Sequence, residues 1–106
     1  MENEAIDQLL NLLDSAALDG DIAPDARRTC SDAASRIRAV RGRLAPLERL
    51  LAMSEAQGDI DPTASAGAAR RFSERVNLRR DVAELYDRLT SYVWEGTSTL
   101  RDWVRP

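Results

Sequence analysis

The sequence predicts an all-α fold of four main helices followed by a short fifth, and three observations predict it. Apolar residues recur at helical spacings of three and four along most of the chain. No run alternates with the two-residue period of a strand. A pattern of Gly, polar residue, Ile or Leu, any residue, Pro occurs three times, at Gly20-Asp21-Ile22-Ala23-Pro24, Gly42-Arg43-Leu44-Ala45-Pro46 and Gly58-Asp59-Ile60-Asp61-Pro62. Glycine just past a helix end can take the left-handed conformation that closes the last turn. Proline suits the first position of the next helix, where no N–H is needed. Each copy therefore reads as a helix-to-helix turn, pinned by its apolar third residue folding back onto the core.

The first helix is predicted from Asn3 to Leu18, with Ile6, Leu9, Leu10, Leu13 and Ala17 on one face and Gly20 as its stop. Its early acids suit the positive end of the helix dipole. The second starts at Pro24 and carries a heptad-like seam of Ala26, Cys30, Ala33, Ile37, Val40 and Leu44. The third, from Pro46 to about Gln57, is apolar through Leu47, Leu50 and Leu51, with Met53 nearby. Matching Leu9 to Pro24 with Leu47 to Pro62 is consistent either with a remnant of duplication or with one turn solution used twice. Residues 63–69 are small and weakly specified. The fourth and longest helix runs from about Ala69 to Glu95, with Phe72, Val76, Val82, Leu85, Leu89 and Trp94 among a broad apolar arc. On its polar side Arg80, Glu84 and Arg88 have the spacing of i to i+4 ion pairs. Gly96 is expected to end it, and Thr97 or Ser98 to cap a last short helix with Leu100, Trp103 and Val104.

At 106 residues, with 43% hydrophobic and 31% charged residues, the chain has the length and composition of one folded domain. A lone cysteine forms no internal disulfide, no apolar run is long enough for a membrane, and the acidic start lacks the basic region of a signal peptide. These features predict a cytoplasmic protein. The chain contains no histidine, which removes the commonest general base and metal ligand. All 15 basic residues are arginines. Charge is segregated along the chain: residues 1–25 carry −7, residues 26–49 carry +5, residues 50–69 carry −3 and residues 70–106 carry +2.

If each of the three turns reverses the chain, the first and third share one end. That end collects Asp19, Asp21, Asp25, Asp59 and Asp61 as a candidate surface for an arginine-rich partner protein. Arg38, Arg41, Arg43 and Arg49 then mark the opposite pole. The inference needs Pro46 to reverse the chain rather than kink a continuous helix. The rival basic surface is the row Arg71, Arg75 and Arg79, which would favour nucleic acid, although a pI near 4.9 argues against that class. Neither the calcium-loop pattern nor any other metal-ligand spacing is present, so no metal or cofactor is expected. Cys30 lies within the apolar seam with no histidine to activate it and reads as a small core residue. No nucleophile and base pair is visible, so an enzyme is not expected. Trp94 and Trp103 either close the end of the core or stand exposed as anchors for a partner.

From Met1-Glu2-Asn3-Glu4-Ala5-Ile6-Asp7 through Trp94-Glu95-Gly96 to Leu100-Arg101-Asp102-Trp103-Val104-Arg105-Pro106, the chain resembles a small anti-CRISPR protein of the type I-E group. Such proteins are encoded by phages and mobile elements of bacteria such as pseudomonads. The resemblance covers the full length through overall text and size, and it carries over no functional residue because these groups share no common site. It implies a non-enzymatic inhibitor, acting as a monomer in the bacterial host cell. The implied partner is the crRNA-guided surveillance complex or the helicase-nuclease that this complex recruits. Two other functions fit the residues: a nucleic-acid-binding regulatory module built on the arginine row, and a helical adaptor subunit that assembles through its aromatic C-terminus.

Overall fold

The computed structural model describes residues 3–103. They form three helices, α1 (Asn3–Ala17), α2 (Pro24–Ala56) and α3 (Ala66–Trp103), with no strand among the described residues. The all-α class follows the periodicity. The count differs from the four main helices and short fifth that the sequence predicts, and two glycines account for the difference.

The first is Gly42. The segment Gly42-Arg43-Leu44-Ala45-Pro46 is not a turn but lies inside α2. A proline within a helix lacks the N–H that would bond the carbonyl four residues back, and its ring crowds that carbonyl. Here the residue four back is Gly42 itself, where an added Cβ would meet nothing within 4 Å. Leu44, between the two, is buried and holds the segment down. The second is Gly96, which lies inside α3 rather than past its end. A methyl group added there would stand 3.2 Å from Leu13 Cδ1 and 3.6 Å from Ile37 Cδ1. Gly96 is thus a place where helices approach closely, not a stop. The predicted last helix is the final part of α3, and Val104 lies outside the described residues.

The other two glycine-proline segments are connections, as expected, closed in different ways. Gly58 has φ of 85° and its N–H donates to the Glu55 carbonyl at 3.0 Å, the left-handed ending that the pattern predicts. Gly20 does not use positive φ. There the Asp19 carboxylate accepts from the Asp21 N–H at 2.9 Å and the Asp19 carbonyl accepts from the Ile22 N–H at 3.2 Å. The weakly specified stretch also has a definite order. Asp61 accepts from both the N–H and the hydroxyl of Thr63, and Ser65 caps α3 by accepting from the Ala68 N–H at 3.0 Å.

Contacts gather the chain into two compact units, one of residues up to Arg41 with those from Arg88 onward, the other Gly42–Asp87. Each draws on both α2 and α3. In the first unit, Ile6, Leu9, Leu10, Leu13 and Ala16 of α1 bury with Ala26, Cys30, Ala34, Ile37 and Val40 of α2 and with Leu89 of α3. The seam differs from the prediction by one position at two places, Ala34 for Ala33 and Ala16 for Ala17. The second unit is a helical hairpin whose buried residues are Leu44, Ala68, Arg75, Val82 and Leu85.

The segregated charges meet within the first unit. The Asp14 carboxylate accepts from Arg38 Nη1 at 3.1 Å and from Arg38 Nη2, and Asp7 accepts from Arg41 Nη1 at 2.7 Å. Arg36 reaches Glu95 at 3.7 Å. As residue number rises along α1 it falls along α2, so the acidic first segment lies against the basic second one. The Arg38 hydrogen bonds hold the Asp14 carboxyl below the usual carboxylate range. On α3 the expected i to i+4 ladder is absent: Arg80 turns to Asp81 at 3.5 Å, and Glu84 and Arg88 make no ion pair among the described residues.

Two measurements check this account. Gly42→Ala, in an open helix interior, is expected to stabilise the protein by about 0.5–1 kcal/mol, whereas Gly96→Leu is expected to cost about 1–3 kcal/mol, both read from urea unfolding. Asp14 is depressed in the folded state, so its contribution is fully present above the ordinary carboxylate pKa and is lost as pH falls through the folded value. Asp14→Asn should therefore lower stability at pH 7 by roughly 0.2–1 kcal/mol, as suits an exposed pair, and leave it unchanged near pH 2.

Candidate functional site

The carboxylates proposed as one pole belong to two different connections. Asp19 and Asp21 lie between α1 and α2, with Asp25 in the first turn of α2. Asp59 and Asp61 lie between α2 and α3. The chain reversal that was to join the two sets is missing, because α2 passes through residues 42–46 without a break. All five are exposed, and two already serve their own loops: Asp19 accepts from the Asp21 N–H, and Asp61 is held below the usual carboxylate range by the Thr63 hydroxyl and N–H. Asp19 also borders a shallow apolar hollow of about 270 Å³ with Leu12, Ile22 and Leu100. Among the described residues no cluster of three carboxylate or thiol groups could hold a metal ion.

The basic row is divided as well, and its middle member is the informative one. Arg75 is only 6% exposed. Its Nε donates to Ser54 Oγ at 2.8 Å, its Nη1 donates to the Gly58 carbonyl at 2.7 Å, and its Nη2 donates to the Ser54 carbonyl. The last carbonyls of a helix have no partner within it, and a cation there also meets the negative end of the helix dipole. The last turn of α2 has no basic residue of its own, so Arg75 supplies one from α3. It is a structural cap and is not available to phosphate. Arg79 pairs with Glu55 at 3.0 Å on the surface. Of the three, Arg71 alone is exposed with no acidic partner among the described residues, its side chain lying back over Gly67.

Cys30 is fully buried, and burial pushes its thiol pKa up, which disfavours the thiolate that a nucleophile needs. Tyr86 donates to Glu48 at 2.8 Å, and that hydrogen bond raises the phenol pKa. Both groups are accounted for by packing.

What remains unaccounted for is apolar surface. Trp94 is 71% exposed and Trp103 53%, so neither tryptophan closes a core. In the hairpin, Leu50 is 51% and Met53 66% exposed. They line a groove of about 510 Å³, together with Leu78 and the charged residues Arg71, Glu74 and Asp81. Phe72 and Val76, placed by the helical wheel in the central apolar arc, are exposed too. The arc misjudged its centre because it treated Arg75 as a surface residue: the buried row is Ala68, Arg75, Val82, Leu85, Leu89 and Gly96, with an arginine in a core position.

Compared with known protein families, curated proteins and solved structures, the chain matches none.

The capping role of Arg75 has a measurable size. Arg75→Ala removes three hydrogen bonds from a buried charged group and leaves helix-end carbonyls short of partners, so it should cost about 2–4 kcal/mol in urea unfolding. Arg79→Ala, at an exposed pair, should cost less than about 1 kcal/mol. Equal losses would mean that the cap is not what holds the hairpin.

Proposed function

We propose that this chain is a non-enzymatic protein-binding inhibitor of the anti-CRISPR kind, acting inside the bacterial host cell. In this reading it blocks type I-E interference by covering a surface of the surveillance complex or of its helicase-nuclease. One observation carries the protein-binding part: Trp94 stands 71% exposed on a regular helix. Tryptophan is the side chain most enriched among residues that dominate binding energy, and leaving one in water is costly without a partner to cover it. The resemblance supplies the partner class. No helix of the described residues is long and apolar enough to cross a membrane, consistent with a partner that is not lipid.

The nucleic-acid reading is weaker than the sequence alone makes it, since Arg75 is buried and Arg79 is paired. Its salt-sensitive binding would have to rest on Arg71 and scattered neighbours.

The deciding experiment is a pull-down of the purified protein against a type I-E surveillance complex and, separately, against the helicase-nuclease, with target-DNA binding and cleavage assayed in parallel. One of the two should be captured, with loss of the step it performs. Trp94→Ala should weaken that capture by roughly thirtyfold, the scale of a binding hot spot, without lowering the unfolding midpoint. Absence of capture by either component, with interference intact, would reject the inhibitor reading.

A further inference from the structure

The hairpin Gly42–Asp87 is poorly provided with core. Of its large apolar residues, Leu44, Val82 and Leu85 are buried, Leu47, Leu51, Ile60 and Leu78 are half-buried, and Leu50, Met53, Phe72, Val76 and Tyr86 are exposed. Two helices side by side can bury only the strip between them. Two such hairpins placed face to face bury a second strip and form a four-helix bundle.

We propose that the groove face of this hairpin is the interface of a two-fold symmetric dimer of the chain. A two-fold interface must be complementary to itself, because the same patch is used by both copies. The groove meets that condition in charge. Its apolar floor, Leu50, Met53 and Leu78, is bordered along α3 by Arg71 at one end and Asp81 at the other. When two copies of α3 cross in opposite directions about an axis midway between these residues, Arg71 of each copy faces Asp81 of the other, and the apolar floors meet between the two ion pairs. Among the described residues Arg71 has no acidic partner, and Asp81 is engaged by its neighbour Arg80 at 3.5 Å.

The same symmetry identifies an unfavourable element. Glu74 lies two positions from the axis, so the two Glu74 residues sit about 6 Å apart along the helix direction, given a rise of 1.5 Å per residue. Neutralising that carboxylate should strengthen the dimer. A partner protein in the same groove would have no reason to show this pattern of one reciprocal pair and one self-opposed acid.

Sedimentation equilibrium of the full chain across micromolar to millimolar concentrations tests the proposal. The expected mass rises from 11.8 kDa toward twice that value. Leu50→Glu and Met53→Glu, both at exposed positions, should keep the helical circular dichroism while abolishing association. Arg71→Asp and Asp81→Arg should each weaken the dimer by roughly tenfold or more, since two symmetry-related pairs are lost at once, and the double exchange should restore it. Glu74→Gln should tighten it. A mass of 11.8 kDa at every concentration overturns the proposal, as does association that survives Leu50→Glu. A double exchange no better than the single ones rejects the antiparallel arrangement. A monomer whose groove is instead filled by a surveillance-complex protein, and loses it on Leu50→Glu, assigns the face to that partner and also overturns the dimer.

Discussion

A proline in a helix interior costs roughly 3 kcal/mol, because one hydrogen bond is lost and the ring presses on the preceding turn. The architecture depends on α2 bearing that cost at Pro46. Burial on the N-terminal side of the defect offsets it: Ile37, Val40 and Leu44 all lie in the apolar seam, and each fully buried side chain of this size contributes about 1.5–3 kcal/mol. Arg38 and Arg41 add pairs with Asp14 and Asp7 just before the defect. With that tolerance in place, the chain has three helices and two connections. Without it there would be a third turn and a different arrangement of every charged residue that follows.

Much of this was legible in the residues. The all-α class, the boundaries of the first helix, the start of α2 at Pro24 and the apolar role of Cys30 follow from spacing alone, because amphipathic periodicity is strong where one face is buried. The failures share a cause. Gly42 and Gly96 carry the usual signals of a helix end, yet the residues around them are held by tertiary contact. For Gly96 the contact is with Leu13 and Ile37, which come from distant parts of the sequence. A local pattern cannot distinguish a glycine that ends a helix from one that lets another helix approach.

Arg75 shows the same limit from the polar side. By residue type it belonged to a solvent-facing row with Arg71 and Arg79. The carbonyls it satisfies lie at Ser54 and Gly58, far away in sequence, and only the fold brings them within reach. Its heptad spacing from Ala68 and Val82 was a usable signal: a basic residue seven positions from apolar ones on each side sits on the buried stripe, where it needs acceptors. The grouping of the five acids into one pole assumed a turn at residues 42–46, which lie instead inside α2. The charge segregation, by contrast, was correctly visible and has a plain structural use, since part of the acidic first segment neutralises arginines of the helix that follows it.

The exposed tryptophans have a further consequence, for what light can report about this molecule. Indole emission shifts with the polarity around the ring, and in most proteins it follows the loss of a buried core. Here both indoles already meet water in the folded chain. Their emission is therefore expected to change less on unfolding than that of a buried indole.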